Sequence, residues 1–232
     1  MTVRLLAIDT TEEACSAALW QDGEVSERFE IAARRHSELV LPMIEDLLGE
    51  AGMRLKELDA LAFARGPGSF TGVRIAASVI QGLAFAAGLP VIAVSSLQAL
   101  AQGVNKTHGA GGVLSAFDAR MGEVYWGTYR VDADGIMRAV QEERVCAPAV
   151  VSVAPGDGPG GLAWHAAGSG WDSYAQALRQ AIGFSPVTYE AQRLHAADVA
   201  TLAAALHAEG HGVEASGALP VYLRDEVAWA KA

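Results

Sequence analysis

The sequence has few cysteines, few cations and no long uninterrupted apolar run, and each shortage excludes a class of protein. Its two cysteines, Cys15 and Cys146, stand outside any metal or redox spacing, so we expect reduced, structural thiols in a cytosolic protein. The 17 lysines and arginines are outnumbered by 27 acids, and a net charge of −10 disfavours unaided binding to a phosphate backbone. The longest apolar region, 79–94, is interrupted by glycine and proline, and Asp9 comes too early for a signal peptide. We therefore expect neither a membrane span nor a leader.

Apolar residues are abundant by contrast. They make up 51% of the 232 residues, and charged residues only 19%. A chain of this length and composition can bury a sizeable core, as one large domain or two small ones.

The most specific stretch is 61–94, which predicts a strand, a glycine-rich turn, a long helix and a second strand. In the turn Gly66-Pro67-Gly68, proline fixes one backbone angle and the glycines permit angles closed to other residues. Ser69 or Thr71 can cap the helix that follows, and Gly88-Leu89-Pro90 ends it. A strand, crossover helix and strand predict a parallel pair in an α/β sheet.

Two predicted helices, 71–87 and 37–48, are more apolar than one core-facing stripe requires. Small residues such as Ala76, Ala77 and Gly82 would let another helix approach the first of them closely. Two interpretations stay open on periodicity alone. The helices are either enclosed within their own domain, or cover their own sheet with one face and a partner with the other.

The N-terminal region predicts three strands, at 3–8, 14–20 and 24–29, with a hairpin turn at Asp22-Gly23. Asp9-Thr10-Thr11 forms the bend between the first two strands. An acid and two hydroxyls there could hold a phosphate-bound metal, or simply bond the nearby backbone.

The second half repeats the strand and helix alternation. A helix is predicted from Ser95-Ser96 to Gln102, and the glycine-rich 103–112 predicts a boundary between halves. Strands follow at 113–117, 123–131, 136–145 and 162–167, with a loop at 154–161 and helices at 171–182 and 196–209. The last segment, 219–230, is expected to return to the first half. His207 and His211 have the spacing of a helical metal pair, but no third ligand is evident and we interpret them as solvated.

In this order the sequence carries Asp9-Thr10-Thr11, His36-Ser37-Glu38, the block GPGSFTG at 66–72, the block DARMGEVY at 118–125, and Pro220 to Arg224. This set resembles the TsaB (YeaZ) family of bacterial accessory subunits for tRNA threonylcarbamoyladenosine synthesis. The resemblance spans nearly the full chain, and 145–170 carries little of it.

The resemblance implies a two-lobed α/β fold of the actin-like ATPase and sugar kinase class, each lobe a mixed sheet with flanking helices. Lobe I is expected at 1–103, completed by 217–232, and lobe II at 104–216. It also implies pairing with the catalytic paralogue TsaD through the two apolar helices, together with an ATPase, TsaE. The expected interface residues are His36, Leu39, Val40, Met43, Leu47, Val73, Arg74, Ala76, Ala77, Ile80 and Ala84.

Two departures from related proteins imply that this subunit does not catalyse. The paralogue carries a metal-binding His-x-x-x-His pair, and the matching positions here are Ser96 and Leu100, which cannot hold the metal. Related ATPases have glycine after the acid, where this chain has Asp9-Thr10-Thr11. The three residues are nucleotide-proximal candidates at most, so we expect no tightly bound cofactor and no metal. ATP or ADP with Mg²⁺ at the partner interface stays open.

The expected function is thus a non-catalytic, cytoplasmic partner subunit that reaches tRNA only through its complex and forms a homodimer when isolated. The alternative is a free-standing enzyme on the same fold, either a small-molecule kinase using Asp9 or a peptidase.

Overall fold

The computed structural model describes residues 3–32, 34–154, 163–189 and 192–224, and shows two five-to-six-stranded sheets with five α-helices. The strands of the first sheet are β1 (Arg4–Asp9), β2 (Ala14–Gln21), β3 (Glu24–Ile31), β4 (Ala60–Ala64) and β5 (Val91–Val94). The second sheet contains β6 (Gly112–Arg120), β7 (Glu123–Val131), β8 (Met137–Ala139), β9 (Arg144–Cys146), β10 (Trp164–Ala167) and β11 (Val187–Tyr189). The helices are α1 (His36–Glu50), α2 (Phe70–Ala87), α3 (Ser96–His108), α4 (Ser169–Ile182) and α5 (Ala196–Ala208).

The first sheet has the order β3-β2-β1-β4-β5, with antiparallel pairs at the β3 end and parallel pairs from β1 to β5. The hairpin at Asp22-Gly23 and the parallel β4–α2–β5 unit are confirmed. Both residues of this turn have positive φ, as a two-residue hairpin of this twist requires. Ser69 is the residue that caps α2, its side chain accepting a hydrogen bond from Gly72 N, and Gly88 ends the helix in the left-handed conformation.

The second sheet has the order β11-β10-β6-β7-β8, with β9 also paired to β7. The expected strand 136–145 is wrong as one element: β8 and β9 both pair with β7, at opposite ends of it, and the segment between them turns. Strand β11 was not predicted at all, because its three residues are too few for a period. The loop predicted at 154–161 falls mostly outside the described residues.

The elements stack in five layers, with three apolar cores between them. Alternate residues of β1 show the division: Leu6 and Ile8 face the core under α1 and α2, while Leu5 and Ala7 face the central core with α3 and α5. A third core, around Trp126 and Trp171, lies between the second sheet and α4. Each of the two helices between the sheets packs mainly on one of them: α3 packs on the second sheet and α5 on the first.

Helix α3 does not end at Gln102 as expected but continues to His108. Gly103 lies inside it because α5 passes close by: a Cβ added there would stand 2.5 Å from the carboxylate Oδ2 of Asp198. Gly103, the first residue of the predicted boundary, thus allows α3 and α5 to pack closely. The predicted lobe boundary between residues 103 and 104 falls inside α3 and stays a prediction.

The segment after α5 returns to the first lobe, as predicted for its described part. Val213 pairs with Val91, Ala218 O accepts a hydrogen bond from the side chain of Gln81, and Val221 N donates to Arg65 O. Residues 225–232, also assigned to lobe I, lie outside the described residues.

Helix α2 is long and apolar enough, by length and composition, to cross a membrane, and no second helix in the described ranges passes the same test. The apolar run 79–94, in which the sequence was tested for a membrane span, starts inside α2 and leaves out the first turns of this helix. One face of α2 packs on the first sheet. The expectation of no membrane span stays a prediction.

Candidate functional site

A cleft of about 980 Å³ opens between the lobes where β1, β4 and β6 end. Its walls come from the β1–β2 loop, the GPGSFTG loop, the β6–β7 hairpin and the C-terminal segment. Clefts at the carboxyl ends of parallel strands are common ligand sites in α/β proteins, and this volume suits a small molecule.

The bend Asp9-Thr10-Thr11 lies behind this cleft and not in its wall. All three residues have no exposed surface. Thr10 Oγ1 donates to Gly72 O at 2.7 Å, and Thr11 O accepts from Ser69 N at 2.7 Å. The GPGSFTG loop therefore covers the bend, and a molecule in the cleft would meet Gly68 and Ser69 first.

Asp9 is held by its neighbour Thr11, whose backbone N and hydroxyl both donate to Asp9 Oδ1, at 3.0 and 2.6 Å. These are the local backbone bonds that the sequence offered as the alternative to a metal site. Burial nevertheless raises the pKa of Asp9 to about 6, with the Thr11 hydrogen bonds opposing it. The second oxygen, Oδ2, is buried without a hydrogen-bond partner.

Glu12 is the half-buried acid of the cleft. Burial, followed by repulsion from Asp9 and Glu13, raises the pKa of its carboxyl to about 8. Its oxygen Oε2 accepts a hydrogen bond from Ser169 Oγ, which lies across the cleft in lobe II, at 3.5 Å. The side chain of His36 contacts the backbone oxygen of Glu12 at 3.0 Å and so fixes this loop.

Five arginines line the cleft, and three of them are paired with acids. Arg120 pairs with Asp118, Arg193 with Glu13, and Arg224 with Glu123. The other two, Arg34 and Arg74, have no carboxylate within ion-pairing distance among the described residues. The guanidinium groups of the cleft that have no described acid partner are therefore those of Arg34 and Arg74, at its rim.

Aromatic side chains surround Arg74 at this rim. Its guanidinium carbon lies 3.2 Å from the ring centroid of Phe70 and 5.1 Å from that of Tyr222. Phe70 and Tyr222 are 66% and 46% exposed. The sequence did not predict this cluster, because Tyr222 stands about 150 positions from Phe70 and Arg74 and no local period connects it with them.

The predicted partner-interface residues are mostly enclosed in the chain's own core. His36, Val40, Met43, Leu47, Val73, Ala76, Ala77, Ile80 and Ala84 are all buried, and only Leu39 and Arg74 retain exposed surface. Seven of the nine pack in the core under α1 and α2, and the other two, His36 and Val73, line the cleft. Their assignment to a partner interface stays a prediction. Helices that are apolar all round do not reveal by composition which face is inside.

The outer face of α2, defined by Thr71, Ile75, Ser78, Val79, Gly82, Phe85 and Ala86, carries apolar and small side chains that no other element covers completely. Phe85 is 85% exposed, and Leu41 on the neighbouring α1 is 44% exposed. A Cβ added at Gly82 would meet nothing within 4 Å. The surplus apolar surface inferred from the sequence is therefore present, on the opposite face from the one assigned.

Known proteins align with the whole of this architecture. The chain is 44% identical to the tRNA threonylcarbamoyladenosine biosynthesis protein TsaB of Escherichia coli K12, over 99% of this chain and 98% of the relative. It is 40% identical to the TsaB of Haemophilus influenzae, over 98% and 96%. The chain belongs to the TsaB (YeaZ) family.

Two further comparisons agree with this membership. The crystal structure of YeaZ from Pseudomonas aeruginosa superposes with a TM-score of 0.87 at 47% identity, covering 95% of this chain and all of that one. The family model TsaD: tRNA N6-adenosine threonylcarbamoyltransferase matches residues 29–231. The expected α/β fold, with two mixed sheets and flanking helices, is confirmed.

In this TsaB family member, the two positions that the resemblance matches to the paralogue's histidine pair lie on α3. Ser96 and Leu100 have no exposed surface, and Leu100 packs among apolar residues of both lobes. Neither side chain reaches the cleft wall.

The described residues of this TsaB family member contain no group of three His, Cys, Asp or Glu that could hold a metal. His207 lies in the last turn of α5 and His211 lies just beyond the end of this helix, where it pairs with Glu209 at 3.6 Å. Burial raises the pKa of the Cys15 thiol to about 12 and also raises that of Cys146, which disfavours a reactive thiolate at either position.

Proposed function

We propose that this chain is the non-catalytic partner subunit of a complex that forms tRNA threonylcarbamoyladenosine in the cytoplasm. In this proposal it pairs with a TsaD-like catalytic paralogue, a TsaE-like ATPase joins the pair, and tRNA is reached only through the assembly. The names of its relatives support the pathway. The single observation that supports pairing is the uncovered outer face of α2 with Leu41 of α1 beside it.

The composition of this face suits a second helix. Thr71, Ser78, Gly82 and Ala86 are small, so a partner helix can approach closely, and Ile75, Val79 and Phe85 supply apolar area at its margins. Burying such a surface is favourable by about 25 cal/mol per Å² of apolar area. An exposed aromatic such as Phe85 gains most from this burial.

The absence of independent catalysis is supported by the region around Asp9. A kinase that uses Asp9 would need the carboxylate to reach a phosphate-bound metal in the cleft, but the residue is fully covered and one of its oxygens is taken by Thr11. The positions Ser96 and Leu100 supply no metal ligand. Any nucleotide would then belong to the shared interface with the partner subunit.

Pairing is tested by a charge on the outer face of α2. We expect Ser78→Glu and Gly82→Glu each to weaken binding to the catalytic paralogue at least 100-fold, because the carboxylate would be desolvated against a second helix. Both positions are exposed, so the isolated fold is expected to stay intact. Isothermal calorimetry or surface plasmon resonance with the purified paralogue measures the effect.

The matched control is Gln176→Glu, which places the same charge on an exposed position of α4 in the other lobe and is expected to pair normally. Ala77→Glu is unsuitable, since Ala77 is buried and a charge there would disrupt the core. Light scattering of the isolated chain should show a dimer that both outer-face variants dissociate. Normal pairing of Ser78→Glu and Gly82→Glu would refute the proposed interface.

Nucleotide binding separates this proposal from the kinase alternative. We expect calorimetry of the isolated chain with ATP and Mg²⁺ to show no binding tighter than about 1 mM, a free energy near −4 kcal/mol. The physical reason is that Asp9 and both threonines are covered by the GPGSFTG loop. Micromolar binding that Asp9→Ala abolishes would favour the kinase.

A further inference from the structure

Three side chains at the rim of the cleft form a unit, which we call the rim cluster: Phe70, Arg74 and Tyr222. The guanidinium of Arg74 covers one face of the Phe70 ring at 3.2 Å, and the two rings lie 6.3 Å apart at an angle of 41°. Both aromatic residues nevertheless keep much of their surface exposed. Exposed aromatic rings braced by an arginine are costly to leave in water, which suggests that something binds them.

The charge of the rim cluster favours an anionic occupant. Arg74 makes only one hydrogen bond, to the backbone oxygen of Phe70 at 3.3 Å, and no described carboxylate pairs with it. Of the other acids of the cleft, Asp118 pairs with Arg120 and Glu13 with Arg193, while Asp172 is exposed on α4. Glu12 is neutral over much of the range near pH 7, because its pKa is raised to about 8. In a chain of net charge −10, Arg74 is therefore a cation at the rim with no carboxylate partner among the described residues.

The position of the cluster connects it with the partner. Phe70 is the first residue of α2, and Arg74 lies one turn before Ser78, which belongs to the outer face that the proposed function assigns to the catalytic paralogue. The cluster is thus at the edge of that interface. A molecule held by the partner can reach Phe70 and Tyr222 without entering the chain's own core.

We propose that the rim cluster contacts the tRNA substrate, stacking an unpaired base on Phe70 or Tyr222 and placing Arg74 against a phosphate. This inference rests on the proposed function, since it needs the assembled complex to bring the RNA to the edge of α2. Unpaired bases in RNA loops bind aromatic side chains by stacking, and arginine adds both charge and stacking. One cluster of this size is too small to bind RNA alone, which agrees with the acidic charge of the chain.

The test uses the complex reconstituted from this chain, the catalytic paralogue and the ATPase, with unmodified tRNA as the probe. We expect Phe70→Ala and Tyr222→Ala each to weaken tRNA binding about 5-fold or more at fixed salt, since one lost base–aromatic stack has an effect of this order. Arg74→Gln is expected to weaken binding and to lower the salt dependence of log K by about one ion. Val187→Ala, a half-exposed apolar position on β11 in the other lobe, is the matched control and should bind as the unchanged complex does.

Size-exclusion chromatography of each variant complex distinguishes the outcomes. Intact assembly with weakened tRNA binding supports the inference. Unchanged affinity and salt slope in all three variants would overturn it. Loss of the ATPase from the complex, with tRNA affinity unchanged, would identify the cluster as a protein-docking surface and overturn it equally. Failure of the unchanged chain to pair with the paralogue would instead refute the proposed function, and this inference with it.

Discussion

Gly72→Ala is expected to destabilise the isolated chain by about 3 kcal/mol or more, a large fraction of the free energy of unfolding of a typical domain. A Cβ at this position would stand 2.0 Å from the carbonyl oxygen of Thr10 and 3.2 Å from Thr11 Cα. Both contacts are with backbone that cannot rotate away. Separating α2 from the bend would also break the hydrogen bond from Thr10 Oγ1 to Gly72 O.

The same helix contains its own control. Gly82 lies ten positions further along α2 with nothing within 4 Å of an added Cβ, so Gly82→Ala should stabilise the isolated fold by up to about 1 kcal/mol through helix propensity. Urea unfolding followed by circular dichroism measures both variants, at one protomer concentration because dimerisation would add to the apparent stability. Equal stability of Gly72→Ala and the unchanged chain would contradict the close packing of α2 on the Asp9-Thr10-Thr11 bend.

The order and type of most elements could be predicted because their signals are local. The hairpin turn at Asp22-Gly23, the turn and cap that begin α2, and the left-handed Gly88 that ends it depend on residues only a few positions apart. The parallel β4–α2–β5 unit follows from the same stretch. Where a signal was short or ambiguous, as for β11 and for Gly103 in α3, the prediction was incomplete or wrong.

Which face of α2 points inward could not be predicted from composition. Val73, Ala76, Ala77 and Ile80 are as apolar as Ile75 and Val79, so composition gives the helix no preferred inner face. Only the packing decides: Ala76, Ala77 and Ile80 lie in the core with the first sheet. Val73 is buried beside the cleft, while Ile75 and Val79 are half-exposed. The resemblance pointed to α1 and α2, and their part in pairing stays a prediction. Which of their residues are exposed follows only from the packing.

The rim cluster could not be predicted for a different reason. Tyr222 approaches Phe70 because the C-terminal segment returns across the GPGSFTG loop, where Val221 N donates to Arg65 O. A Cβ at Gly66 would stand 3.1 Å from Val221 O, so this glycine also permits the return. Contacts of this kind depend on where two distant segments meet, and no local pattern records them.

The pH dependence of stability is expected to run opposite to that of a protein held together by surface ion pairs. Burial raises the pKa of Asp198 to about 7, with Lys106 and His195 opposing it, and raises that of Asp9 to about 6. Each acid binds its proton more tightly in the folded chain than in the unfolded one. Their contribution to the free energy of unfolding is therefore complete below about pH 4 and is lost as the pH rises through 6 to 7.

Asp198→Asn should remove most of this loss. For Asp198 alone the loss between pH 4 and pH 8 is on the order of 4 kcal/mol, at about 1.4 kcal/mol per unit of pKa. The amide keeps the shape of the protonated acid against Gly103 but cannot ionise. We therefore expect the free energy of unfolding of the variant to exceed that of the unchanged chain by at least about 2 kcal/mol at pH 8 and to equal it at pH 4. Urea unfolding at a series of pH values provides the measurement.

The control is Asp46→Asn, at an exposed position of α1, which should change the pH profile little. The comparison also tests the central packing, because Asp198 is strongly perturbed only while α5 stays against α3 at Gly103. His195 stacks on Phe29 and contacts Glu27 of β3 at 2.9 Å, so the same region connects the start of α5 to the first sheet. Parallel pH profiles for Asp198→Asn and the unchanged chain would mean that this carboxyl is solvated, and that α5 does not hold it against Gly103 of α3.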